Sequence, residues 1–159
     1  MNTLITVTAT LALIGSALIG GIFFAFSSFI MKALARLPSS QGMAAMQSIN
    51  VVVLNPVFLG VFMGTTVISL VVAIISIMEW GAFAAPYYLV GALFYIVGTF
   101  LVTGMGNVPL NNQLSAVSNN DPAASDIWQH YLVRWTRLNT IRTVSAIAAS
   151  VILLIGLSK

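Results

Sequence analysis

The stretch Trp128 to Leu157, WQHYLVRWTRLNTIRTVSAIAASVILLIGL, decides how this chain folds. Its second half, Thr143 to Leu157, is apolar but falls short of the roughly 20 residues that cross a bilayer. The span is completed only if one helix begins near Asp126 and carries Arg142 into the apolar region. An Arg at the centre of a spanning helix costs at least about 2.5–3.5 kcal/mol on insertion scales, which makes it a functional-site candidate by default. At about 100° per residue, Trp128, Tyr131, Trp135, Asn139 and Arg142 fall within an arc of about 80°, and Asp126, His130, Arg134 and Arg137 lie opposite. The first stripe is expected to face inward and the second to be solvated.

Three further apolar runs, Leu4 to Met31, Val51 to Met78 and Ala82 to Met105, are each long enough to span. With 59% hydrophobic residues, 6% charged residues and a mean hydropathy of +1.03, the composition is that of an integral membrane protein. The fold expected is therefore all-α: a four-helix transmembrane bundle in one domain over residues 1–159. Its helices are expected at approximately 3–36, 40–79, 83–115 and 122–157, extending beyond the bilayer on the cytoplasmic side. The start, MNTLITVTAT, has no basic region, and the apolar run after it is longer than a signal peptide's, so an uncleaved helix is expected. Lys32, Arg36, Arg134 and Arg137 share the side of the first and third connections, with Lys159 alone opposite. The positive-inside rule then puts both termini outside, in an inner or plasma membrane.

Gly15, Ser16, Ala17, Gly20 and Gly21 form a small-residue patch on helix one, and a homo-oligomer formed through that patch is expected. Pro56, within the second run, predicts a kink beside Asn50 and Asn55. Asn107, Pro109, Asn111 and Asn112 repeat the pairing of Asn with Pro in helix three. The turn Ser118 to Pro122 is expected to start helix four.

Six basic residues in so apolar a chain give no support to nucleic-acid binding; membrane lipid and a hydrophobic small molecule are the partners expected. With one His, three acids and no Cys, the chain lacks the donors for a zinc site, a facial triad or a di-iron cluster, so no metal site is expected. Arg142 has no carboxylate at its own depth and must meet neutral oxygens, from Asn50, Asn55, Asn107, Asn112, Asn139 or kink-freed carbonyls, or else an anionic ligand. Two arrangements fit: a polar plug that locks the helices together, and a ligand site lined by Trp128, Trp135 and the Asn residues.

The runs AFSSFIMKAL (25–34), MQSIN (46–50), GNVPLNNQL (106–114) and WQHYLVRWTRLNTIR (128–142) together resemble the anthrone-oxygenase-like family of small four-helix membrane proteins. Asn107 to Asn111 and the series Trp135, Asn139, Arg142 are the most specific parts. The resemblance implies oxidation of an enolisable aromatic polyketide with dioxygen and without a metal or organic cofactor. The positions it carries over are Asn107, Asn111, Trp135, Asn139 and Arg142. Helical position and side-chain chemistry, taken together with that match, make Arg142, Asn139 and Tyr131 the catalytic candidates, and Trp128, Trp135, Asn50, Asn55, Asn107, Asn111 and Asn112 the substrate-binding ones. Arg142 with Asn donors would stabilise an enolate oxygen, and Tyr131 is the acid/base candidate. A non-enzymatic small-molecule binder or transporter, and a haem protein using His130 or a Met as axial ligand, are the alternatives.

Overall fold

The computed structural model of the chain describes residues 3–118 and 122–159. They run as five helices with no strand among them: α1 (Thr3–Leu34), α2 (Ser39–Val52), α3 (Pro56–Met78), α4 (Ala85–Ser115) and α5 (Ala124–Leu157). Four of these, all but α2, are long and apolar enough to cross a membrane. The chain is an all-helical bundle of membrane-spanning type.

The spanning helices run up and down around a square. α5 packs against α1 and α4, and α3 closes the remaining side by contacting both of them. Small residues set the approach of α1. Gly15 faces Thr65 on α3, and Gly20 faces Ala146 and Ile147 on α5, so most of the small-residue patch is used within the chain. Only Ala17 and Gly21 of that patch are exposed. The hydroxyls of Thr65, Thr66 and Ser76 bond back to the carbonyls of Val61, Phe62 and Val72, which satisfies them without a partner helix.

The expected kink before Pro56 is a complete break. The ring of Pro56 cannot continue the donor ladder, so α2 ends at Val52 and α3 begins with Asn55 as its cap, Oδ1 accepting from the Val57 and Phe58 amides. The break frees α2 to turn back over the end of the bundle. Met43 and Met46 pack there against Leu110, Leu114, Trp128, Tyr131 and Trp135. At α5, Asn119, Asn120 and Asp121 of the expected turn lie outside the described residues; Pro122 precedes the helix, which starts at Ala124.

Two helices carry π turns. One spans Phe26–Ile30 in α1, where the Met31 amide donates to the Phe26 carbonyl; α4 holds two, Ile96–Leu101 and Thr103–Asn107. They matter for the polar side chains. Thr99, Thr103, Asn107 and Asn111 follow at four-residue spacing, which in a plain α-helix drifts by about 40° per step. The wider π turns counter that drift and keep the series facing α5.

Candidate functional site

Arg142 is buried two turns beyond Trp135 on the inner stripe of α5. Its guanidinium is 4.0 Å from the centre of the Phe23 ring and 5.3 Å from that of Trp135. One terminal nitrogen donates to Asn139 Oδ1 at 2.7 Å and the other to Thr103 Oγ1 at 3.1 Å. Among the described residues no carboxylate approaches it, and its Nε has no partner. Charge-assisted bonds contribute about 1.5–3 kcal/mol each, and desolvated cation–π contacts up to about 2 kcal/mol. Together they are large enough to offset the insertion cost. Arg142 is thus held as a cation by neutral groups, with no counter-ion among the described residues.

The groups around it are themselves anchored. Asn139 donates to the Phe23 carbonyl and to Ser27 Oγ, both at 2.7 Å, just before and within the π turn of α1. Thr103 donates to the Thr99 carbonyl, and Thr99 donates to the Arg142 carbonyl. Toward α2, Trp135 Nε1 and Tyr131 Oη both donate to Asn111 Oδ1 at 2.8 Å, and Asn50 Nδ2 reaches Tyr131 Oη at 3.5 Å. Asn107 donates to the Trp135 carbonyl while its own Oδ1 is buried without a partner.

Arg142, Thr103, Trp135, Asn111 and Asn50 open onto one cavity of about 190 Å³. Its remaining walls are apolar and aromatic: Phe23 and Phe26 from α1, Met46 and Ile49 from α2, Phe58 and Phe62 from α3. Phe58 and Phe62 stack with an interplanar angle of 8°. Exposed Ile22, Leu54, Met63 and Val108 also line it, so its rim is apolar on the outer surface of the bundle.

The cavity gathers only part of the expected set. Asn139 is fully buried behind Arg142 and does not line the cavity; its contact is with the guanidinium. Tyr131 and Asn107 also stand behind the lining. Tyr131 stacks between Trp128 and Trp135. Trp128 is farther away, in the cluster under α2, where it packs against Gly42. Asn55 is occupied as the α3 cap, its Nδ2 bonding the Val52 carbonyl. Asn112 is exposed, one residue and so about 100° round the helix from Asn111. His130, Asp126, Arg134 and Arg137 are exposed, as the outer stripe of α5 requires. Among the described residues no three His or acidic side chains gather as a metal site would need.

Thr99, Thr103, Phe23 and Ser27 were not foreseen as site residues. The four-residue series Thr99, Thr103, Asn107, Asn111 was the available signal for the two threonines. The chain matches the family model described as anthrone oxygenase over residues 56–152, more than half of its length. The chain belongs to the anthrone oxygenase family. The matched span holds α3, α4 and α5 as far as Ile152, and with them every polar residue of the site except Asn50 and Ser27. The α1 and α2 walls, including the AFSSFIMKAL and MQSIN runs, precede it. No curated protein and no solved structure matches the chain.

Proposed function

We propose that this anthrone oxygenase family protein binds a planar, enolisable aromatic molecule from the membrane and oxidises its acidic methylene with dioxygen, without a metal or organic cofactor. The observation that carries this is the Arg142 cation, held between two aromatic faces at the wall of an apolar cavity and lacking a counter-ion among the described residues. An enolate oxygen supplies the missing negative charge, and a preorganised cation in a site of low polarity stabilises it strongly.

The cavity lining contains no carboxylate or imidazole. In this mechanism the ligand ionises because Arg142 stabilises the enolate, and the proton leaves to water. The carbanion then reduces dioxygen: a carbon–oxygen bond forms, protonation gives a hydroperoxide, and loss of water leaves a carbonyl. Overall, one methylene and one dioxygen give one carbonyl and one water. Tyr131 stands behind the lining with its hydroxyl donated to Asn111 Oδ1, so in this mechanism it fixes Asn111 in place and the peroxide takes its proton from water.

Asn139 and Thr103 hold the guanidinium in place, and Phe23, Phe58, Phe62 and Trp135 supply flat apolar walls. Oxygen uptake by the purified protein with anthrone tests the proposal. One dioxygen consumed per anthraquinone formed, without added metal or flavin, is expected. A rate no higher than the spontaneous oxidation overturns it.

A further inference from the structure

The cavity has a second polar end, of a different chemical character from the first. Trp135 lies between the two, its ring 5.3 Å from the Arg142 guanidinium and its Nε1 2.8 Å from Asn111 Oδ1. The indole nitrogen only donates, so it fixes the orientation of the Asn111 amide, with Oδ1 toward Trp135 and Tyr131. Among the described residues this leaves Asn111 Nδ2 with no protein acceptor. Asn50 is complementary: its Nδ2 reaches Tyr131 Oη at 3.5 Å, and its Oδ1 accepts nothing from the described residues.

Both residues line the cavity beside Met46, Ile49 and Val53. That end therefore offers free amide donors on Asn111 and a free acceptor on Asn50 in an apolar wall, whereas the Arg142 end is dominated by the donors of a cation. A hydroxyl group both donates and accepts, and satisfies the pair. A ligand without one leaves two polar groups facing an apolar surface, which is how sites built for a hydroxyl reject its absence.

We infer that Asn50 and Asn111 form a hydroxyl-recognising subsite, and that Asn50 is a specificity-determining residue selecting flat aromatic ligands that carry a neutral hydroxyl on the edge away from the ionising oxygen. The inference rests on the cavity being a ligand site, but not on oxidation taking place there.

Two rigid probes with no methylene to oxidise, 2-naphthol and naphthalene-2,6-diol, separate the questions. Calorimetric titration of the detergent-purified protein should show the diol binding about tenfold more tightly than the mono-ol. In Asn50→Leu that preference should fall to about twofold or less. Asn50→Ala, which removes the same acceptor with less bulk, should lose the preference in the same way. It also serves if Asn50→Leu does not fold. Equal binding of the two probes to the unaltered protein, or a preference that survives both variants, overturns the subsite and leaves the ligand site standing. Failure of both probes to bind overturns both.

Discussion

At the scale of single residues, position on α5 separates function from background. His130 is the sole imidazole in the chain, yet it shares the exposed stripe with Asp126, Arg134 and Arg137. His130→Ala should leave thermal stability within about 0.5 kcal/mol of the parent, the usual range for exposed sites, and ligand binding unchanged; loss of a bound chromophore in that variant would refute the surface role. Arg142 was legible from the sequence because a charge heading an apolar run stands out, and helical spacing gave it Trp135 and Asn139 as neighbours. Thr103 was not legible, since a Thr in a spanning helix ordinarily bonds to its own backbone. Thr103 does bond back to Thr99, and its oxygen also accepts from Arg142. Asn55 misled for a related reason: an Asn before a Pro reads equally well as a site residue and as a helix cap, and only the backbone course decides.

At the scale of elements, the four spans followed from hydropathy, whereas the missing amide of Pro56 predicted only a kink within one helix over 40–79 and not the complete break after Val52. The π turns did not follow from either, because they alter the pitch of a helix without altering its composition. The docking of α2 was also hidden. It depends on Gly42, where an added Cβ would stand 2.8 Å from the Leu34 carbonyl oxygen and 3.0 Å from the Trp128 ring. Gly42→Ala should therefore push α2 away from α1 and α5 and destabilise the protein by about 1–3 kcal/mol, the usual range for overpacking. Gly21→Ala, where nothing lies within 4 Å, is the matched control and should be neutral or slightly stabilising. Equal melting temperatures for the two variants would contradict the close packing of α2. Because Met46, Ile49 and Asn50 ride on α2, Gly42→Ala should weaken ligand binding as well.

At the scale of the whole molecule, exposed Lys32, Arg36, Arg134 and Arg137 lie at the end of the bundle that holds α2, and Lys159 lies at the other. The distribution of basic residues favours a cytoplasmic α2 end, with both termini outside. A carboxyl-terminal alkaline phosphatase fusion should be active and a fluorescent-protein fusion dark; the reverse pattern inverts the topology. Orientation also bears on the cavity, which sits toward the α2 end with its apolar rim on the outer surface of the bundle. Two arrangements compete at this cavity: a reaction site organised around Arg142, as proposed, and a polar plug. Arg142→Gln keeps a hydrogen-bonding side chain but removes the charge. Measuring melting temperature and anthrone-dependent oxygen uptake on the same purified variant separates the two. A reaction site predicts a loss of about a hundredfold or more in turnover per folded molecule, as for removal of one oxyanion donor, with little change in melting temperature. Turnover per folded molecule equal to that of the parent protein, with a shifted melting temperature, would show that Arg142 only holds the helices together.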